Sequence, residues 1–160
     1  MITLSTMPLA EFKTAALPGC LFAFEDAGLA GAKYLAPNAR KQLIDLAKTE
    51  GFKGSCGECV QILWTGKRTI LVGLGKKKEY SREFQRRAAG QLLQYAKGRF
   101  ERIAVAPEDC LGAAEGLLLA SYQFTQYKKA EAERLVEARL IVAGASERNA
   151  ADKALVVVDE

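Results

Sequence analysis

The stretch from Phe52 to Tyr80, FKGSCGECVQILWTGKRTILVGLGKKKEY, constrains the fold more than any other part of the chain. Val60 to Thr65 and Thr69 to Leu74 are two runs rich in β-branched and aliphatic residues. The polar Gly66-Lys67 turn between them predicts a β-hairpin. Gly73 and Gly75 then release the chain from the sheet, and Lys76 to Tyr80 lead into a long amphipathic helix. A hairpin that feeds a helix through a glycine pair belongs at the centre of an α/β domain.

The remaining elements arrange themselves around that centre. Ile2 to Ser5 alternates apolar and polar residues and predicts an edge strand that Pro8 breaks. Cys20 to Phe24 predicts a buried strand closed by the polar Glu25-Asp26-Ala27-Gly28. Asn38 is the candidate N-cap of a helix over Ala39 to Thr49, with Leu43, Leu46 and Ala47 on one face and Gly51 as its stop signal. Ser81 is the candidate N-cap of the next helix, to about Lys97. There Tyr80, Phe84, Ala88, Leu92 and Tyr95 share one face, and Arg82, Arg86, Arg87 and Lys97 lie opposite. Leu93 is the one large apolar residue on the basic side. A short strand over Ile103 to Ala106 precedes a helix from Glu108 to about Gln126. That helix is apolar nearly all round, the pattern of an element sandwiched between others. A charged connector over Lys128 to Glu133 and a strand over Ala138 to Ala143 follow.

This order, β-β-α-β-β-α-β-α-β-α, predicts an α/β fold: three layers, α/β/α, with helices on both faces of a mixed central sheet. The 160 residues, about half of them apolar, suffice for one such domain. No apolar run approaches the ~20 residues that span a bilayer. The N-terminus has no basic and apolar leader pattern, so a cytoplasmic location is expected. Glu147 to Glu160 reads two ways, since Val156-Val157-Val158 favours a strand whereas Ala150, Ala151, Ala154, Leu155 and Val158 fit a helical stripe; either way it ends without a cap, so the chain is expected to be part of something longer.

The chain contains no histidine. That removes the commonest general base and metal ligand, and with it any Ser-His-Asp or Cys-His mechanism. Cys56-Gly57-Glu58-Cys59 is the most conspicuous local motif. Its cysteines lack a second ligand pair for zinc, and they open a strand rather than a helix, where a thiol would be activated. Cys56 and Cys59 stand as a candidate redox pair beside the reading of incidental thiols.

The charge is uneven. Eleven Lys or Arg against three Glu fall between Lys67 and Arg102, a local balance of +8 in a chain of net +4. Lys76, Lys77 and Lys78 after the glycine pair, with Arg82, Arg86 and Arg87 on the helix, form a candidate contact for an anion or nucleic acid. The same residues also describe a solvated helix face and a glycine turn. Glu25-Asp26 reads as a turn at a strand end, and Glu115, inside an apolar helix, as one half of an ion pair.

Three stretches together resemble the N-terminal domain of the leucyl (cytosol) aminopeptidase family of two-zinc metallopeptidases. The first is Phe52-Lys53-Gly54 with the hairpin and Leu71-Val72-Gly73-Leu74-Gly75-Lys76-Lys77, then Glu79-Tyr80. The second is Ala113-Ala114-Glu115-Gly116-Leu117-Leu118-Leu119-Ala120-Ser121-Tyr122, with Phe124, Tyr127 and Lys128. The third is Phe24-Glu25-Asp26 after an apolar strand.

The resemblance implies a macro-domain-like fold over residues 1–146, with 147–160 as the start of a helix that leads to a C-terminal catalytic domain. That catalytic domain, a partner in the same polypeptide, would carry two zinc or manganese ions. No catalytic or metal-binding residue transfers to this chain, whose expected role is assembly or regulation of an aminopeptidase. The family also implies a homo-oligomer, a hexamer for the full protein, and no membrane partner. Two alternative functions follow: a nucleic-acid (DNA) module that uses the basic helix over 81–97, and an ADP-ribose or nucleotide binder by kinship of fold.

Overall fold

The computed structural model describes residues 3–8, 18–29, 36–64, 66–97, 99–127 and 137–142. Its elements in chain order are β1 (Thr3–Pro8), β2 (Gly19–Phe24), β3 (Gly28–Leu29), α1 (Pro37–Thr49), β4 (Cys59–Trp64) and β5 (Lys67–Gly73). A single 3₁₀ turn (Lys77–Glu79), α2 (Arg82–Ala96), β6 (Arg102–Ala106), α3 (Cys110–Tyr127) and β7 (Glu137–Val142) complete them. The expected connector over 128–133 and the segment 147–160 lie outside the described residues.

The strands form one sheet in the order β1-β7-β6-β2-β5-β4. β1, β7, β6, β2 and β5 run parallel, and β4 pairs antiparallel with β5 as one edge. The strand directions follow from connection length. The tight Gly66 turn allows only an antiparallel hairpin, whereas the parallel crossovers need helices. The two-residue β3 was not legible as a strand; it pairs with Ala23 and Phe24 at the end of β2, beyond the reach of β6.

Alternation along the strands divides the core in two. Cys20, Phe22, Phe24, Ile70, Val72, Ile103 and Val105 face α2 and α3. Leu21, Ala23, Leu71, Ala104 and Ala106 face α1 through Leu43 and Ala47. Strands buried on both faces explain why CLFAF and TILVG read as continuous apolar runs. Each fully buried Phe22, Leu71 or Ile103 contributes about 1.5–3 kcal/mol of transfer free energy.

Two helix readings need correction. α1 starts two residues earlier than Asn38 suggested, because Pro37 takes the first helical position, where a missing N–H costs nothing. Leu46, placed on its buried face, is 41% exposed, whereas Ile44 packs on the core. In α2 the buried face is rotated: Gln85, Ala89, Leu93 and Ala96 are buried along with Ala88 and Leu92.

The reason for that rotation is α3. α2 packs on the sheet with one side and on α3 with another. A Cβ on Gly116 would lie 2.4 Å from the Arg86 carbonyl oxygen, and one on Gly112 would lie 3.0 Å from Arg82 Cγ. Gly112, Gly116 and Ala120 recur every four residues, so one stripe of α3 lets the Arg82–Arg86–Gly90 stripe of α2 approach closely. The basic side of α2 is therefore half of a helix–helix interface.

This packing yields a paired expectation. Gly116→Ala forces its Cβ into backbone and should destabilise by about 1–3 kcal/mol. Gly90→Ala meets nothing closer than 3.8 Å and should be neutral or stabilising. Urea unfolding of the two variants reads the difference.

Candidate functional site at the carboxyl end of the strands

Open α/β sheets hold ligands at the carboxyl ends of their parallel strands. Here the ends of β2 and β5 meet the loop over residues 53–58, and the chain itself fills the space. Gly73 ends β5 so close to that loop that a Cβ would lie 2.0 Å from the Ser55 carbonyl oxygen. The Gly73 N–H donates to the Glu58 carbonyl at 2.7 Å and the Gly57 N–H to the Gly73 carbonyl at 2.9 Å. Gly75, with φ +81°, turns the chain so that its N–H reaches the Gly54 carbonyl at 2.9 Å. Its own carbonyl accepts from the Glu25 N–H at 2.8 Å.

Two carboxylates sit where anions would otherwise bind. The N–H groups of Lys53, Gly54 and Ser55 converge on Glu58 Oε1 at 3.1, 2.9 and 3.2 Å. Three successive N–H groups make an anion nest, and the occupant is the chain's own side chain. The Lys77 N–H, at the start of the 3₁₀ turn, donates to Asp26 Oδ1 at 3.0 Å. The phosphate-loop-like stretch is thus a strand-to-helix turn, and Glu25–Ala27 is the turn that supplies its cap. Lys76, Lys77 and Lys78 are exposed around it.

The arginines lie on a different surface, along α2 and α3. Arg82 Nε donates to Asp109 Oδ2 at 2.7 Å, and Arg86 Nε to Glu115 Oε1 at 2.9 Å. Glu83 stands 3.2 Å from Arg86 Nη1 and 3.9 Å from Arg87 Nε. The bonds to Asp109 and Glu115 raise the two guanidinium pKa values further, so both stay charged. Glu115 is the ion-pair partner its place in an apolar helix suggested. Arg87 also lies over the Phe84 ring, 5.7 Å from its centroid.

Gln85 is the residue that the helical pattern missed. It is fully buried, and its Oε1 accepts from Tyr80 Oη and from the N–H groups of Glu108 and Asp109, all at 3.1 Å. It thereby caps the entry to α3 from inside the core. The signal was a polar residue one turn before Ala88 and Ala89, at a core position. Burial, then the charges of Asp109 and Glu108, push the Tyr80 hydroxyl well above its usual range. Its ring meets Phe24 edge-to-face at 5.4 Å.

The thiols of Cys20, Cys56 and Cys59 are all free. Cys56 is exposed in the turn before β4, and Cys59 begins β4 and packs on the core. Burial, with Glu58 adding to it, pushes the Cys59 thiol up to about 11. Burial also raises Cys56, against the pull of Arg87, and holds the wholly buried Cys20 far above its ordinary value. Among the described residues no group of three or more His, Cys, Asp or Glu is placed to hold a metal ion. No described helix is long and apolar enough to cross a membrane.

Comparison with known proteins bears on this surface. Residues 20–131 match the model of the cytosol aminopeptidase family, N-terminal domain. A probable cytosol aminopeptidase of Clostridium perfringens is 38% identical over 104 residues, covering 56% of this chain and 21% of that protein. One from Wolbachia pipientis wMel is 33% identical over 101 residues, covering 61% of this chain and 20% of that protein. The chain thus spans about a fifth of the length of these relatives. Among solved structures, a tomato leucine aminopeptidase mutant superposes with a TM-score of 0.71 at 18% identity, over 99% of this chain and 36% of that one. The bottromycin maturation enzyme BotP in complex with Mn gives 0.65 at 20% identity, over 91% and 30%. At these identities the structures speak for the fold, the same α/β architecture.

The thiol environments set an order of reactivity. At pH 8 a thiol with a pKa near 11 is about one-thousandth thiolate. Of these three thiols, alkylation followed by peptide mass mapping should therefore modify Cys56 first, Cys59 far more slowly, and Cys20 only on unfolding. Equal rates at Cys56 and Cys59 would contradict this.

Proposed function

The chain belongs to the cytosol aminopeptidase family, of which it is the N-terminal domain, and we propose that this domain is a scaffold with no chemistry of its own. The observation that carries the reading is the state of the sheet's carboxyl end. The place where an α/β domain would hold a ligand is packed with the loop over 53–58 and closed by Glu58 and Asp26. A domain filled in this way can position a neighbour.

On this reading residues 1–146 form the domain and 147–160 begin the connection to a C-terminal catalytic domain of the same polypeptide. That catalytic domain would remove N-terminal residues from peptides by two-metal hydrolysis, the metals activating a water and polarising the scissile carbonyl. Zinc or manganese are the metals we propose for it, and the structure of BotP in complex with Mn supports the second. A cytoplasmic homo-oligomer is the expected setting, consistent with the family's name, the cytosol aminopeptidases.

No observation favours a nucleic-acid module. Arg82 and Arg86 are ion-paired with neighbours on α3, and Arg87 stands near Glu83. An ADP-ribose or nucleotide site is equally without support, because the end of β5 is covered by Ser55.

The test is direct. The 160-residue chain, supplied with zinc or manganese, should release no product from a leucine p-nitroanilide substrate. Turnover above the metal-only blank would refute the scaffold reading.

A further inference from the structure

The two edges of the sheet are guarded differently. β1 ends in Pro8, a residue that cannot donate to an added strand. β4 has no such device. Its sequence, CVQILW, contains no charge, no proline and no glycine, and all six residues keep register with β5. Edge strands that stay single are normally blunted by charge, proline or a bulge, and an unblunted one is a template for pairing. Among the described residues no strand lies beyond β4.

The backbone groups that face outward can be assigned. The Gly73 N–H bonds to the Glu58 carbonyl, so the alternation of an antiparallel ladder directs Val60, Ile62 and Trp64 toward β5. The N–H and C=O groups of Cys59, Gln61 and Leu63 then point away from the sheet. Leu63 is also 70% exposed, the most exposed of the large apolar residues described.

We propose that this edge pairs antiparallel with the same edge of a second copy of the chain, about a two-fold axis at Gln61. A two-fold axis perpendicular to the sheet, midway between the two edge strands, pairs residues on the same face. Centred on Gln61, it sets Cys59 against Leu63, Val60 against Ile62, and Gln61 against itself. Every outward N–H of Cys59, Gln61 and Leu63 then finds a carbonyl, and no like charges meet. The pairing is self-complementary in chemistry as well as symmetry, which is why a second copy fits this edge. The inference deepens the homo-oligomer element of the reading above by naming its surface. It does not depend on the domain being inert.

Sedimentation of the chain tests it, over about 1 to 200 µM, since a contact this small supports only weak association. The mass should rise from monomer to dimer, and exchange at the amides of Cys59, Gln61 and Leu63 should slow as the dimer forms. Leu63→Lys should raise the dissociation constant at least tenfold. Gln61→Pro, which removes an outward N–H without breaking a bond to β5, should abolish dimerisation. Leu119→Lys, at another exposed leucine, on α3, should leave it unchanged. A chain that stays monomeric throughout overturns the proposal, and if its β4 amides are protected, another segment covers the edge. A dimer with concentration-independent exchange at β4, or one insensitive to the folded edge variants, overturns it equally. None of these outcomes bears on the absence of turnover.

Discussion

The contact between Gly73 and Ser55 is the constraint on which this end of the molecule depends. Backbone touches backbone there, with no room for a side chain. Because the approach is so close, the loop over 53–58 lies across the strand ends instead of beside them. Its N–H groups then need partners, and Glu58, anchored by its own backbone bond to Gly73, supplies one carboxylate oxygen for three of them. Hydrogen bonds to a charged group are worth about 1.5–3 kcal/mol each when buried, less where water competes. The functional consequence is that a surface able to bind anions is satisfied internally.

The second organising contact is the seam between α2 and α3. Small residues on α3 let the helices close, and the Arg82–Asp109 and Arg86–Glu115 pairs line the seam. Both pairs are partly exposed, so they orient the helices more than they stabilise them. Gln85 joins the seam to the core by holding the start of α3. Within the stretch of local charge +8, Arg82, Arg86 and Arg87 stand beside Asp109, Glu115 and Glu83, while Lys76, Lys77 and Lys78 stay exposed.

Much of this is legible in the sequence. The hairpin, the glycine exit, the alternation of helices and strands, and the sandwiched character of α3 all follow from period and turn chemistry. What the sequence hid depends on neighbours distant in the chain. Leu93 reads as misplaced on a basic face until α3 is set against it. Gln85 reads as a surface amide until the turn at Glu108 arrives. Glu58 reads as the interior of a Cys-x-x-Cys motif, although its carboxylate matters to the loop before it. β3 is too short for any period to show. The position of Asn38 misled because a capping residue and Pro37 compete for the same helix start, and the proline prevails.

The central claim is that the strand ends are filled by the chain itself, and an NMR titration of backbone amides tests it most directly. Pyrophosphate and ADP-ribose, added separately to millimolar concentration, should leave the signals of Gly54, Gly57, Gly73, Gly75 and Lys77 where they are. Saturable shifts at those amides, and not elsewhere, would show that an external anion displaces Glu58 or Asp26, and would contradict the account.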